Sequence, residues 1–367
     1  MISVAIDSHS SRQHVGHDSI LWTMNLRERS PRSSYDIDLK RRGIDLERRI
    51  GDSLKTLSAW WRISQAAASE GLRPAFHAVM LLLGIVLVGI SPLVSAFALG
   101  DEDRLLVDIS LSTMLGCGLL LGAFTAASNL GDEIRRRTVM VLLSKPISRT
   151  TVLLGKFSGI AFSLTMAQIS WMATLLLAIR HRTIHSLFVD DQAPVLGLSL
   201  AAITFSLIQA AHAHRCGKSF PATLSRNCAL SLLLAATIAW SWAPDGDFRL
   251  PWSNIDPSII WAMVLVHQGV LILGAVALAA STRLPTPATI ALSLGTLLSG
   301  VIIGSLTRGT FWSRWMPDLQ RLWISDGLIR GGEISNTSAA WASLWSLLVL
   351  AAILALAAAL FARRDVG

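Results

Sequence analysis

FHAVMLLLGIVLVGISPLVSAFAL, residues 76–99, decides the fold class. It holds no Asp, Glu, Lys or Arg, and its apolar side chains fall all round a helix. A single stripe would mark the helix of a soluble protein, and alternation would mark a barrel strand. A helix of about 20 apolar residues crosses the hydrocarbon layer of a bilayer. Seven more runs free of those four residue types follow, at 109–130, 157–179, 194–212, 228–243, 258–281, 286–306 and 339–362. The run at 228–243 is short for a crossing, so it is either re-entrant or extended by its flanks. The pattern predicts an all-α polytopic membrane protein with about eight transmembrane helices. The alternative is six plus re-entrant segments.

Composition agrees. Of 367 residues, 52% are hydrophobic and only 15% charged, where a soluble domain carries about 25% charged. Mean hydropathy is +0.53 and the pI about 10.2. The net charge of +8 sits beside the apolar runs, as the positive-inside rule requires, and forms no basic face for nucleic acid. Cys117, Cys216 and Cys228 are odd in number and unpatterned, so they imply no disulfide framework.

Residues 1–57 are polar and predict a cytoplasmic, partly disordered segment, with a one-striped helix over 36–57. Residues 58–75 predict a second, interfacial helix, because Trp60 and Trp61 suit the membrane–water boundary. The membrane domain then occupies 76–365. The first apolar run begins only at 76, so it is expected to act as an uncleaved insertion signal.

Loop charges set the expected orientation. The loop 100–108 carries Asp101, Glu102, Asp103 and Asp108 against Arg104 and is placed outside. So is 244–257, with Asp245, Asp247 and Asp256 against Arg249. The basic loops 131–156 and 213–227 are placed inside, and both termini are cytoplasmic. Two places resist this scheme. Arg180 and Arg182 fall in a loop expected outside. The segment 308–337 is also expected outside, yet it carries Arg308, Arg314, Arg321 and Arg330. Its apolar residues recur at three and four steps, predicting an amphipathic interfacial element.

The loop DEIRRRTVMVLLSKPISRTTVLLGK, 132–156, is the most informative stretch. Glu133 suits a helix N-terminus. The apolar 138–144 is too short to span. Pro146 stops that helix, and Ser148 is a candidate N-cap for the next. An exposed short apolar helix either docks a protein partner or lies on the membrane surface.

This stretch resembles the cytoplasmic loop of ABC-2-type permeases, the membrane subunits of ATP-binding cassette transporters. The matching positions include Glu133, Arg137, Thr138, Leu142, Leu143, Ser144, Lys145, Pro146, Ile147, Ser148, Arg149, Gly155 and Lys156. Glu70 and Arg73 are similar to a Glu-x-x-Arg pattern in the helix that leads into the first span of such permeases. Phe361-Ala-Arg-Arg-Asp365 is similar to their usual ending after the last span. The resemblance implies an ATPase-coupling element at 132–156 and a non-catalytic chain. ATP and Mg would be held by a separate ATPase subunit. It further implies a homodimer or heterodimer of permeases, export as the usual direction, and a bacterial-type inner membrane. The common pattern has six spans, so the hairpin at 194–243 is extra, and it weakens any transfer of substrate.

Other motifs carry less. Gly155-Lys156 and Gly217-Lys218-Ser219 lack the glycine of a phosphate loop, since Thr150 and His212 stand where it belongs. His212-x-His214-x-Cys216 has metal-ligand residue types, but interfacial filler is the expected role, so no metal site is assigned. His267 and Gln268 sit mid-span and must face protein or water. They serve either a substrate path or, the favoured reading, interhelical hydrogen bonding. Gly118-x-x-x-Gly122 and Gly300-x-x-x-Gly304 permit close helix packing. A secondary transporter is a rival, yet the spans lack the carboxylates that ion coupling often uses. An intramembrane enzyme would need a partner for His267 that the sequence does not reveal. A structural or sensory membrane protein would need no ATPase.

Overall fold

The computed structural model describes residues 34–97, 102–135, 148–182, 192–241, 255–306 and 336–363. Among these residues there are helices and turns and no strand. The helices are α1 (Ser34–Leu72), α2 (Ala75–Ser95) and α3 (Glu102–Ala126). α3 runs through a π-helical turn, Ala127–Gly131, into the short α4 (Asp132–Arg135). Then come α5 (Arg149–Arg182), α6 (Gln192–Arg215), α7 (Phe220–Ser241), α8 (Pro257–Ser281), α9 (Thr286–Leu306) and α10 (Asn336–Ala362).

Seven described stretches are long and apolar enough to cross a membrane. They are Ala75–Ser95, Glu102–Arg135, Arg149–His181, Ala193–Arg215, Phe220–Ser241, Pro257–Ser281 and Asn336–Ala362. In α9, Thr286–Ile302 is a shorter apolar helix. The chain is therefore an α-helical, multi-pass membrane protein. Contacts divide it between Leu57 and Ser58. The second unit holds all the apolar helices and is the one described below.

Helix boundaries follow local chemistry. Two helices were expected over 36–75, but α1 is one continuous helix, because no proline or glycine interrupts residues 52–70. It stops at Leu72, where Pro74 disfavours helix at the residue before it. Asp256 caps α8 by accepting from the Ser258 N–H at 2.8 Å, with Pro257 at the first helical position. The run at 228–243 is extended by its flank: α7 starts at Phe220 and has 22 residues, with Ser225, Arg226 and Asn227 inside it.

Arg180 and Arg182, expected in a loop, are instead the end of α5. Arg180 is buried and its Nε donates to the carbonyl of Ala239 at 3.2 Å. The last four carbonyls of a helix lack partners within it, and that end is electronegative. Arg180 thus satisfies the end of α7 rather than terminating its own helix.

α5 is the central helix. In its most apolar window 61% of residues are buried, against 22% for α6 and 17% for α10, which lie at the periphery. Trp171 on α5 is fully buried, and its Nε1 donates to the Leu81 carbonyl of α2 at 3.0 Å. Gly84 makes room for it, since a Cβ there would lie 2.3 Å from the same nitrogen. Gly118 does the same on α3, where a Cβ would meet Val270 and Gln168 within 3.0 Å. Its partner Gly122 has only ordinary contacts with Leu164 and Gly274.

Candidate functional site

The site begins with a stripe of small residues on α5. Gly155, Gly159 and Ser163 recur every fourth residue and so share one helix face. Ile63, Ala67 and Gly71 of α1 recur at the same interval. A Cβ on Gly155 would lie 2.8 Å from Ile63 Cγ2. One on Gly159 would lie 2.5 Å from Ala67 Cβ and 2.6 Å from the Ala68 nitrogen. One on Gly71 would lie 2.9 Å from Ser163 Oγ. The matched order means that the two helices run parallel, backbone against backbone, for two turns. Small residues allow that approach.

Close packing brings Glu70 of α1 to Lys156 of α5. The Lys156 ammonium lies 2.9 Å from Glu70 Oε2 and 2.6 Å from Glu133 Oε1. Glu133 belongs to α4, just past the π-helical turn. One residue inserted into a helix rotates everything after it by about 100°, and Glu133 faces Lys156 after that rotation. The lysine side chain is 3% exposed, Glu133 21% and Glu70 43%. An ammonium buried this deeply needs charged partners, because desolvation alone would strongly disfavour it. Two carboxylates against one ammonium leave the cluster with a formal excess of negative charge.

Further contacts tie neighbouring helix ends together. Ser148 Oγ accepts from the Thr151 N–H at 3.1 Å and caps α5. Arg149 donates to the carbonyl of Ala362, the last residue of α10, at 3.0 Å. Arg135 pairs with Asp132 and donates to the Leu284 carbonyl at 3.3 Å and Thr286 Oγ1 at 3.0 Å, in the turn between α8 and α9. The ends of α1, α4, α8 and α10 and the starts of α5 and α9 are thus linked by charged and polar side chains. Arg73 is exposed and outside the cluster. Arg137, Thr138, Leu142, Leu143, Ser144, Lys145, Pro146 and Ile147 lie outside the described residues, as does nearly all of the amphipathic segment 308–337.

The mid-span pair has helix partners. His267 Nε2 lies 3.3 Å from Thr165 Oγ1 on α5. Gln268 donates to Ser343 Oγ at 2.6 Å and accepts from Ser346, both on α10. These bonds join α8 to both neighbours. Gly217, with φ of +77°, ends α6. The Lys218 N–H bonds the Ala213 carbonyl at 2.9 Å and the Gly217 N–H bonds that of His214 at 3.0 Å, the Schellman pattern. Gly217-Lys218-Ser219 is therefore a helix–helix turn. Cys216 Sγ is 3.9 Å from His212 Nε2, and no group of three metal-ligand residues forms among the described residues.

Glu70, Glu133 and Lys156 stand out separately in the sequence, but their meeting does not. The signal for it was the Gly155-x-x-x-Gly159-x-x-x-Ser163 repeat, of the same kind as the one noted at Gly118. No protein-family model matches the chain, and neither does any curated protein.

Proposed function

We propose that this chain is the membrane-spanning permease subunit of an ATP-binding cassette transporter of the ABC-2 type, coupled to a separate ATPase. The observation that carries the reading is the meeting of Glu70, Glu133 and Lys156. Each matches a position of the permease pattern, and Glu70 lies 86 residues from Lys156 in the sequence. The arrangement suits force transmission. The stretch that the resemblance marks as the coupling loop is flanked by α4, tied to its neighbours through Glu133 and Arg135, and by α5, tied through Arg149 and Lys156. A push on that loop reaches α1 through Glu70 and the α8–α9 turn through Arg135.

In this reading the ATPase, holding ATP and Mg, docks on 132–156 from the cytoplasm. Two permeases, the same or similar, form the path, and the usual direction is export. Eight spans place both termini inside, with α6 and α7 the additional hairpin. Leu142 and Leu143 are the apolar anchors of the contact, since a few buried apolar residues dominate such interfaces. The test is co-purification of this chain with an ABC-type ATPase subunit co-expressed from the same genome. The wild type should hold the ATPase. Replacing Leu142→Asp and Leu143→Asp together should weaken retention about tenfold or more while membrane insertion is unchanged. Equal retention by both forms, or none by the wild type, would contradict the assignment.

A further inference from the structure

The hairpin of α6 and α7 carries a feature that the transport reading does not use. A groove of about 590 Å³ runs between the two helices, within the range of small-molecule sites. Its two ends differ in chemistry. Near the turn it is lined by Gln209, His212, Lys218, Arg226 and Asn227. Away from the turn it is lined by Leu198, Phe205, Leu230, Leu234 and Ile238, with the small residues Ala202 and Ala235 between them. Ser206 and Ser231, 2.7 Å apart, hold the two helices together beside it. The apolar wall is open to the surroundings: Phe205 is 55% exposed, Leu230 64% and Leu234 61%.

Depth and charge define the occupant. From Leu230 to Ile238 the helix rises about 12 Å, close to half of a hydrocarbon layer of about 30 Å. With the polar end at head-group depth, the apolar part would match one leaflet of acyl chain. Residues 192–241 contain Arg215, Lys218 and Arg226 and not one Asp or Glu. Among the described residues neither Lys218 nor Arg226 makes an ion pair. Two cations without carboxylate partners at the mouth of an apolar groove fit an amphiphile with an anionic head.

We propose that this groove binds one anionic glycerophospholipid. Its phosphate lies between Lys218 and Arg226, and an acyl chain lies along Phe205, Leu230, Leu234 and Ile238. The Schellman turn at Gly217 holds Lys218 over the groove mouth. The site stands whether or not the chain is coupled to an ATPase.

The experiment is native mass spectrometry of the full chain released from detergent. Phosphatidylglycerol and phosphatidylcholine with identical oleoyl chains serve as probes. The wild type should retain phosphatidylglycerol about tenfold or more over phosphatidylcholine, since each basic residue near a head group adds about a factor of five. The pair Lys218→Gln and Arg226→Gln should abolish that preference. The charge-preserving pair Lys218→Arg and Arg226→Lys should keep it, which guards against a simple folding defect. Ala235→Trp, which fills the groove, should lower retention of both lipids. Glycerol phosphate without acyl chains should not compete. Three results would overturn the proposal: no preference in the wild type, an unchanged preference in the glutamine pair, or full competition by glycerol phosphate. Loss of a dimer rather than of lipid in Ala235→Trp would assign the groove to a second copy of this chain instead.

Discussion

Lys156 is the residue on which the most depends. It is nearly sealed from solvent, and its ammonium contacts two carboxylates of unequal burial. Lys156→Met keeps the volume but leaves Glu70 and Glu133 facing each other without a cation. Breaking a buried pair by removing one partner costs about 3–5 kcal/mol. The partial exposure of both acids reduces this, so about 2–3 kcal/mol is expected. Glu133→Gln should cost less than Lys156→Met, and Glu70→Gln least, because Glu133 is the closer and more buried partner. Melting midpoints of the three variants in one detergent give the order. A Glu70→Gln loss larger than that of Lys156→Met would mean that the lysine is not the hub. The sequence marks these residues only one by one, since their meeting depends on how helices far apart in the chain pack. Arg180 teaches the same lesson. An arginine after an apolar run reads as a loop unless a carbonyl elsewhere accepts from it, and the Ala239 carbonyl cannot be found from the local sequence.

At the scale of elements, α1 and α5 are joined by a stripe that tolerates no added atom. A Cβ at Gly159 would lie 2.6 Å from the backbone at both Ser64 and Ala68, and backbone cannot swing away as a side chain can. Gly159→Ala should therefore destabilise by about 1–3 kcal/mol and loosen the Glu70–Lys156 contact. Gly89→Ala is the control, because nothing lies within 4 Å of its Cβ. It should be neutral, or stabilising by up to about 1 kcal/mol, through helix propensity. Thermal unfolding of the two variants side by side checks this, and equal effects would remove the case for a tight α1–α5 seam. The helices themselves are legible because an apolar run without charge has few alternatives to a span. Their ends are less so. α7 begins eight residues before its apolar run, since hydropathy ignores polar residues that stay helical. The Gly155 stripe was readable as a small-residue repeat, but only packing shows which helix fills it.

For the whole molecule, orientation and coupling are the quantities to measure. With Cys117, Cys216 and Cys228 replaced, single cysteines in 100–108 and 244–257 should react with an impermeant thiol reagent added to intact cells. One placed near the N-terminus should not. Labelling at the N-terminus would reverse the proposed topology. The class of the protein was readable from its runs of apolar residues. The coupling role proposed for 132–156 rests on a family resemblance, because a docking surface is completed by a partner and not within one chain. The most direct test reconstitutes the chain in proteoliposomes with the ABC-type ATPase that co-purifies with it and measures ATP hydrolysis. No hydrolysis by the chain alone and several-fold stimulation of the ATPase by the wild type are expected. With the Leu142→Asp, Leu143→Asp form, stimulation should be lost. Hydrolysis by the chain alone, or an ATPase rate indifferent to its presence, would contradict the account.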